Sequence, residues 1–469
     1  MSGYETAGVI SILVIGAIFI GLWKLLGLLS KKPNIFFDYE HDYNQAFSYN
    51  KKQNHHPNTE NENEKVFLGV SHFSQKGKNV FVDCNAKHVF ICGTTGSGKT
   101  VAISNFIKAG ADYDYPMLIV DGKGDTDAGS LMEITKNICG KRKIYIINLN
   151  EPTESDRYNP FKNTNTDVIK DMLINMTNWS EEHYKYNTER YLLRLLRLMS
   201  MKEIKISLDS LTRYLPTINF TKLSKDLSVE GKISKEDFIE DMELAKTSGK
   251  IAEAAAARFA TIKESHLGQI FCETGIDIYT ALEENAIILF VLNPLLYPEM
   301  SPLIGNLIII DSKKAVSNFY KHKKKRIFYI LDEINVYASM SLLDLVNKSR
   351  SANITCVLAT QSLSDLDGVN DHFKEQIIEN CNNYIVLRQN SSVNAEHWSN
   401  VLGTKISMQA TYQIKGGANG AESTDLGSLR KTREYIYHPD DIKLLGAGRA
   451  IFLSRDKMFH TKIKVNKPF

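Results

Sequence analysis

Residues 93–100 read Gly93-Thr94-Thr95-Gly96-Ser97-Gly98-Lys99-Thr100. The apolar run Val89-Phe90-Ile91-Cys92 precedes them, and a helix-like stretch follows over 101–108. A strand, a Gly-rich loop and a helix in this order make a Walker A phosphate loop, which leaves an α/β fold built on a parallel sheet as the expected class. The glycines let the backbone close around phosphate oxygens without Cβ clashes. The loop N–H groups and the helix N-terminus both favour anions. In such a loop Lys99 reaches the β- and γ-phosphates and the Thr100 hydroxyl ligates Mg²⁺, so ATP and Mg²⁺ are the expected cofactors.

A phosphate loop needs acids beside it. Residues 326–333, Arg-Ile-Phe-Tyr-Ile-Leu-Asp-Glu, read as a buried strand ending in two carboxylates. Asp332 fits the Walker B acid that holds Mg²⁺ together with Thr100. Glu333 fits the general base that polarises the attacking water. An Asp-Glu pair here points away from kinase-like chemistry and toward NTPases that use hydrolysis to drive motion. The run 354–359 reads as the next strand and ends at Thr360-Gln361-Ser362, which makes Gln361 the expected γ-phosphate sensor. The run 384–387 is a further strand ending at Arg388. Ring ATPases often take a charge-stabilising arginine from a neighbouring subunit, and Arg350 and Arg388 are the two candidates.

The 469 residues exceed one average domain. A net charge of +3 argues neither for nor against a nucleic-acid partner. Six scattered cysteines without a Cys-x-x-Cys pair argue for a reducing compartment rather than for zinc or disulfides. Residues 7–29 form a mostly apolar run whose only charged residue is Lys24. About 23 helical residues at ~1.5 Å each reach ~34 Å, enough to cross hydrocarbon with Lys24 at the interface. Lys24, Lys31 and Lys32 follow the span and only Glu5 precedes it. The positive-inside rule then predicts a single-pass anchor in the inner (plasma) membrane with the ATPase domain cytoplasmic. The anchor covers 1–33, and a polar linker follows over 34–65.

More than 200 residues separate Lys99 from Asp332, more than a bare RecA-like core needs. Strands are expected over 66–70, 80–82, 117–120, 143–149 and 286–292. Between 166 and 270 the β signal fades. There Tyr191-Leu-Leu-Arg-Leu-Leu-Arg-Leu-Met199 has helical spacing, and 251–259 is rich in alanine. The fold predicted is a RecA-like P-loop ATPase core of 66–165 and 271–469, an inserted all-α domain over 166–270, and an N-terminal transmembrane helix. The basic run 321–326 reads as a solvated helix end. Lys123, in the loop Asp121-Gly-Lys-Gly-Asp125, is the better candidate for a pore-facing contact with the phosphates of a nucleic-acid substrate.

Together these residues resemble the coupling proteins of type IV secretion and bacterial conjugation, the TraG/TraD-like ATPases of the FtsK/HerA division. The resemblance rests on His88 with the loop 93–100, on Asp121-Gly-Lys-Gly-Asp125 and on Tyr158-Asn-Pro-Phe161. It rests also on Leu331-Asp-Glu333, Arg350, Ala359-Thr-Gln-Ser362, Ile385-Val-Leu-Arg388, and the segment 430–446 with Arg433 and His438-Pro439. It implies a membrane-anchored homo-hexamer that receives a relaxase with its single-stranded DNA and feeds it to the components of a secretion channel. DNA contact would be through the backbone, independent of base sequence. Members of the family usually have two N-terminal spans where one is expected here, and a long C-terminal tail where this chain ends soon after a strand at 450–454. A motor for protein effectors and a membrane-tethered regulatory ATPase without translocation are the alternatives.

Overall fold

The computed structural model describes residues 64–71, 77–85, 87–176, 182–320, 325–370, 372–417 and 420–469. The expected span 7–29 and almost all of the linker lie outside the described residues. Among the described residues, no helix is long and apolar enough to cross a membrane. Residues 64–469 form one compact unit.

The strands in chain order are β1 (Lys65–Ser71), β2 (Asn79–Asp83), β3 (Val89–Cys92), β4 (Met117–Asp121), β5 (Ile144–Asn148), β6 (Ile287–Val291), β7 (Ile327–Asp332), β8 (Ile354–Thr360), β9 (Asn383–Val386), β10 (Thr404–Gly417), β11 (Gly420–Tyr435), β12 (Arg449–Ser454) and β13 (Phe459–Val465). One sheet runs β2-β1-β13-β12-β9-β3-β8-β7-β4-β6-β5. From β9 to β5 every neighbour is parallel, and from β9 back to β2 every pairing is antiparallel.

The parallel strands are continuous apolar runs because both of their faces are covered. Every residue of β3, β4, β6, β7 and β8 is buried. Alternate side chains go to opposite faces. Val89, Ile91, Ile119, Leu289, Phe328 and Ile330 face one core with the helix Lys99–Asp112, where Phe106 meets Phe328 edge-on. Phe90, Val120, Phe290, Tyr329, Leu331 and Leu358 face the other core, which continues without a break into the helices after β5.

Those helices, Thr166–Asn175, Glu182–Met201, Leu208–Tyr214, Thr217–Val229 and Lys235–Glu264, occupy the stretch where the β signal fades. Their starts are set by caps: Asn165, Ser207 and Ser234 each accept a first-turn N–H, the last two in reciprocal capping boxes. Arg194 donates twice to the buried Asp241, at 2.6 and 3.0 Å, and Ser224 donates to the same carboxylate, pinning three helices together. The Tyr158-Asn159 motif ties the helices to the sheet. The Tyr158 hydroxyl donates to Asp311, and the Asn159 amide donates to the carbonyls of Ile206 and Glu273.

Three strands fall outside the sequence expectations. β10 and β11 pair only with each other, as a long antiparallel ribbon. Its described side chains at 404–411 and 428–434 are mostly exposed on both faces, so no burial alternation marks them. β13 lies between β12 and β1 and joins the N-terminal hairpin to the parallel sheet.

Candidate functional site

The loop 93–98 leaves the C-terminal end of β3 and enters the helix Lys99–Asp112. Gly93 and Thr94 are tied to the neighbouring strand ends: the Gly93 N–H donates to the Thr360 carbonyl and the Thr94 N–H to that of Arg388. Gly98, at φ 106°, takes a backbone shape that a side chain would strain. The helix that follows has no side-chain cap and no acid in its first turn. Its first N–H groups have no partner within the helix and remain directed at the loop. The Thr94 and Ser97 hydroxyls are buried without hydrogen-bond partners.

Across from the loop, β7 ends in the two acids. The Lys99 ammonium donates to Glu333, and its nitrogen lies 3.6 Å from Asp332. Glu333 has a left-handed backbone, φ 51° and ψ 52°, rare for a residue with a side chain, and its N–H donates to the Asp332 carboxylate at 2.9 Å. Burial raises the pKa of Asp332; Lys99 works against that and Glu333 with it.

Of the expected residues, Gln361 reaches the loop: its side-chain oxygen accepts from the Thr95 hydroxyl at 2.9 Å. Arg388 sits beside the loop through its carbonyl, with its side chain half-buried and its Nε without a partner. Thr100 follows Lys99 in the first helical turn. Arg350 is not brought to this site within the chain. It is exposed after the helix Met340–Ser349 and before β8, while Gln361 follows the other end of that strand. Seven strand residues at about 3.3 Å each put roughly 20 Å between the two rims.

Two polar residues in the resemblance motifs had no role read from sequence. Asp121, 2% exposed, ends β4 directly opposite Asp332 of β7. Burial first, and the charge of Asp332 next, push its pKa up to about 7. The signal was the acid itself, at the end of a buried strand just as Asp332 is. His88, buried at the start of β3, accepts the Cys356 N–H on Nδ1 at 3.0 Å and bonds the Val346 carbonyl through Nε2 at 2.9 Å. It holds β3 to β8 and to the helix Met340–Ser349.

These features fit a nucleotide with its metal. Uncapped helix N–H groups, unpartnered buried hydroxyls, a lysine and a glycine-built turn suit phosphate oxygens. The buried Asp332 carboxylate and the Thr100 hydroxyl are hard oxygen donors of the kind Mg²⁺ takes. Fold and site together define a P-loop ATPase core.

Residues 326–446 match the family described as the TraM recognition site of TraD and TraG. The bacterial conjugative coupling protein TrwBdeltaN70 has the same fold at a TM-score of 0.61 and 17% identity, over 88% of this chain and 91% of that one. The plasmid coupling protein TrwB in complex with ADP and Mg²⁺ aligns at 0.57 and 17% identity, over 82% and 86%. VirB4 of Thermoanaerobacter pseudethanolicus aligns at 0.56 and 11% identity, over 87% and 97%. An uncharacterized protein of Mycoplasma pneumoniae (strain ATCC 29342 / M129 / Subtype 1) is 29% identical over 104 residues, 22% of this chain and 69% of that protein. In its fold and in the segment 326–446, the chain resembles the TraG/TraD-like type IV coupling proteins.

Proposed function

We propose that this chain is a membrane-anchored ring ATPase that couples ATP hydrolysis to the delivery of DNA, as a relaxase–single-strand complex, into a type IV secretion or conjugation channel. The observation that carries the reading is the meeting of Lys99, Asp332, Glu333, Gln361 and Thr95 at one rim of a coupling-protein fold. The crystallisation of TrwB with ADP and Mg²⁺ supports the choice of cofactor.

Bound Mg·ATP supplies the γ-phosphoryl group whose transfer to water yields the free energy. The loop N–H groups and Lys99 bind its phosphates, and Thr100 and Asp332 hold the metal. Lys99 is held by Glu333 in this structure. Turning its ammonium to phosphate releases the Glu333 carboxylate to accept a proton from the attacking water. Gln361 orients that water or the phosphate it attacks, and an arginine from the next subunit, Arg350 before Arg388, completes the charge. The rim-to-rim separation within one chain supports a role for Arg350 in trans.

The same proposal includes a homo-hexamer, a single-pass inner-membrane anchor at 7–29 and a cytoplasmic ATPase. It includes the division into a nucleotide-binding part, 66–165 with 271–469, and a helical insert, 166–270. The test is ATP hydrolysis by the purified full chain with and without single-stranded DNA. Mg²⁺-dependent turnover stimulated by DNA is expected. Turnover stimulated only by secreted proteins would move the substrate to effectors, and turnover indifferent to any polymer would favour a regulatory ATPase. Protease reaching the ATPase domain from outside intact spheroplasts would overturn the topology.

A further inference from the structure

The loop after β4 bears directly on the corner where Glu333 sits. The Asp121 carboxylate accepts the N–H groups of Lys123, at 2.9 Å, and Gly124, at 3.2 Å, folding the loop back on itself. Between them, the Gly122 N–H donates to the Asp332 carbonyl at 3.2 Å. A Cβ on Gly122 would lie 2.8 Å from the Glu333 carbonyl oxygen and 2.9 Å from that of Asp332, so the two backbones are in direct contact. The far side of the loop is fastened as well. The Leu292 N–H donates to the Asp121 carbonyl at 2.9 Å, and the Asn150 amide donates to the Gly124 carbonyl at 3.0 Å. Gly124, at φ 77°, has the Leu292 carbonyl where a Cβ would stand.

The corner needs such a support. Glu333 holds a left-handed backbone, φ 51° and ψ 52°, which strains a side-chain-bearing residue. Within the corner, the Glu333 N–H is bonded to the Asp332 carboxylate. That carboxylate is also the expected metal ligand, so its oxygens are shared once the metal binds. The Gly122 bond goes to the Asp332 backbone instead and is independent of what the carboxylate does.

We propose that Asp121 is a positioning residue: through the 121–124 loop and the Gly122–Asp332 bond it holds the Asp332–Glu333 corner in the shape that aims the Glu333 carboxylate at the attacking water. The acceptor oxygens of Asp121 do the work, so an amide in its place keeps most of the effect and a methyl group does not. This rests on the hydrolytic reading of Glu333.

The test measures hydrolysis and backbone protection on the same full-length variants. Asp121→Ala is expected to lower kcat by about 10²-fold with KM for ATP within a few-fold of wild type, the loss that a misplaced catalytic group produces. Asp121→Asn should recover most of that kcat. Gly122→Ala, which crowds the Glu333 carbonyl while leaving Asp121 intact, should reproduce the loss. Hydrogen exchange over 330–335 should rise in Asp121→Ala and not in Asp121→Asn. A wild-type kcat in both Asp121→Ala and Gly122→Ala would overturn the proposal, as would a raised KM with kcat unchanged. If Asp121→Ala fails to fold, Gly122→Ala and Asp121→Asn still decide it. If the wild type itself does not hydrolyse ATP, the hydrolytic reading fails, while the exchange comparison still reads whether the loop supports the corner.

Discussion

Among the described residues, two largely buried lysines each lie between two carboxylates, and the two clusters have opposite meanings. Lys99 sits with Asp332 and Glu333, and Lys314 with Asp277 and Asp311. Both are largely buried, with 12% of the Lys99 side chain exposed and 7% of Lys314. In both clusters burial raises the pKa of an aspartate, Asp332 or Asp311, while the lysine lowers it. The partners are what differ. Lys314 also donates to the carbonyls of Pro160 and Lys162 and to the Thr164 hydroxyl, so its three donors have more acceptors than they can use. Asp311 accepts the Tyr158 hydroxyl and the Ile278 N–H. Lys99 opens an uncapped helix, and the loop before it carries unpartnered hydroxyls. Burial and a shifted pKa mark both clusters; the unpartnered groups around Lys314 are carboxylate oxygens of Asp277 and Asp311, the latter 2.8 Å from the ammonium, whereas those at the phosphate loop are hydroxyls beside an uncapped helix start.

The comparison breaks most decisively at Glu333 and Lys99. Glu333→Gln should lower ATP turnover by about 10³-fold while ATP still binds, because only the base is lost. Lys99→Ala should lose turnover to a similar degree. Both should stay folded by circular dichroism, since the open cluster serves chemistry. Undiminished turnover in purified Glu333→Gln would remove it from its role.

Arg350 sharpens the idea of an open cluster completed from outside. Arg350→Ala should cost about 10³-fold in turnover in an enzyme that uses such a finger. Mixing it with Lys99→Ala protomers should restore part of the activity, because some interfaces then hold both missing groups. Confirmed mixed rings with no recovery at any ratio would exclude Arg350 from acting across the interface.

The sealed cluster should respond in the opposite way. Lys314→Ala strands two buried carboxylates and should lower stability by about 3–5 kcal/mol in urea unfolding. Turnover per folded molecule should hold. A variant as stable as wild type but inactive would reverse the comparison.

His88, sealed at the start of β3, gives the smallest effect, and a pH-dependent one. Burial lowers its pKa to about 4. The unfolded chain takes up the proton first, so the contribution of neutral His88 is complete above the unfolded value near 6.5. It is lost as pH falls from there toward 4, up to about 3 kcal/mol. The stability difference between pH 7 and pH 5 should therefore be smaller in His88→Gln than in wild type. Equal differences would mean the ring does not titrate as buried.

Ten of the eleven strands in the main sheet, the phosphate loop and the Asp332–Glu333 pair were legible because each is written in consecutive residues. A buried parallel strand is an apolar run, and a phosphate loop is a contiguous turn. The ribbon of β10 and β11 was not, because mostly exposed faces leave no alternation to read. Nor was β13, whose place depends on β1 nearly 400 residues earlier. Arg350 stands between the helix Met340–Ser349 and β8, yet nothing local in the sequence says which rim of the sheet it occupies.

The chain's own order of residues therefore determined the chemistry on offer: a phosphate loop, a lysine, a hydroxyl, two acids and an amide at strand ends. The tertiary structure decided which of them meet. Strand order places β8 and β7 between β3 and β4, which brings Gln361 to Thr95 and sets Asp121 opposite Asp332. It also sealed one lysine–carboxylate cluster and left the other open. Those outcomes depend largely on contacts between residues about 150 to 270 positions apart in the chain, whose energies no local pattern encodes.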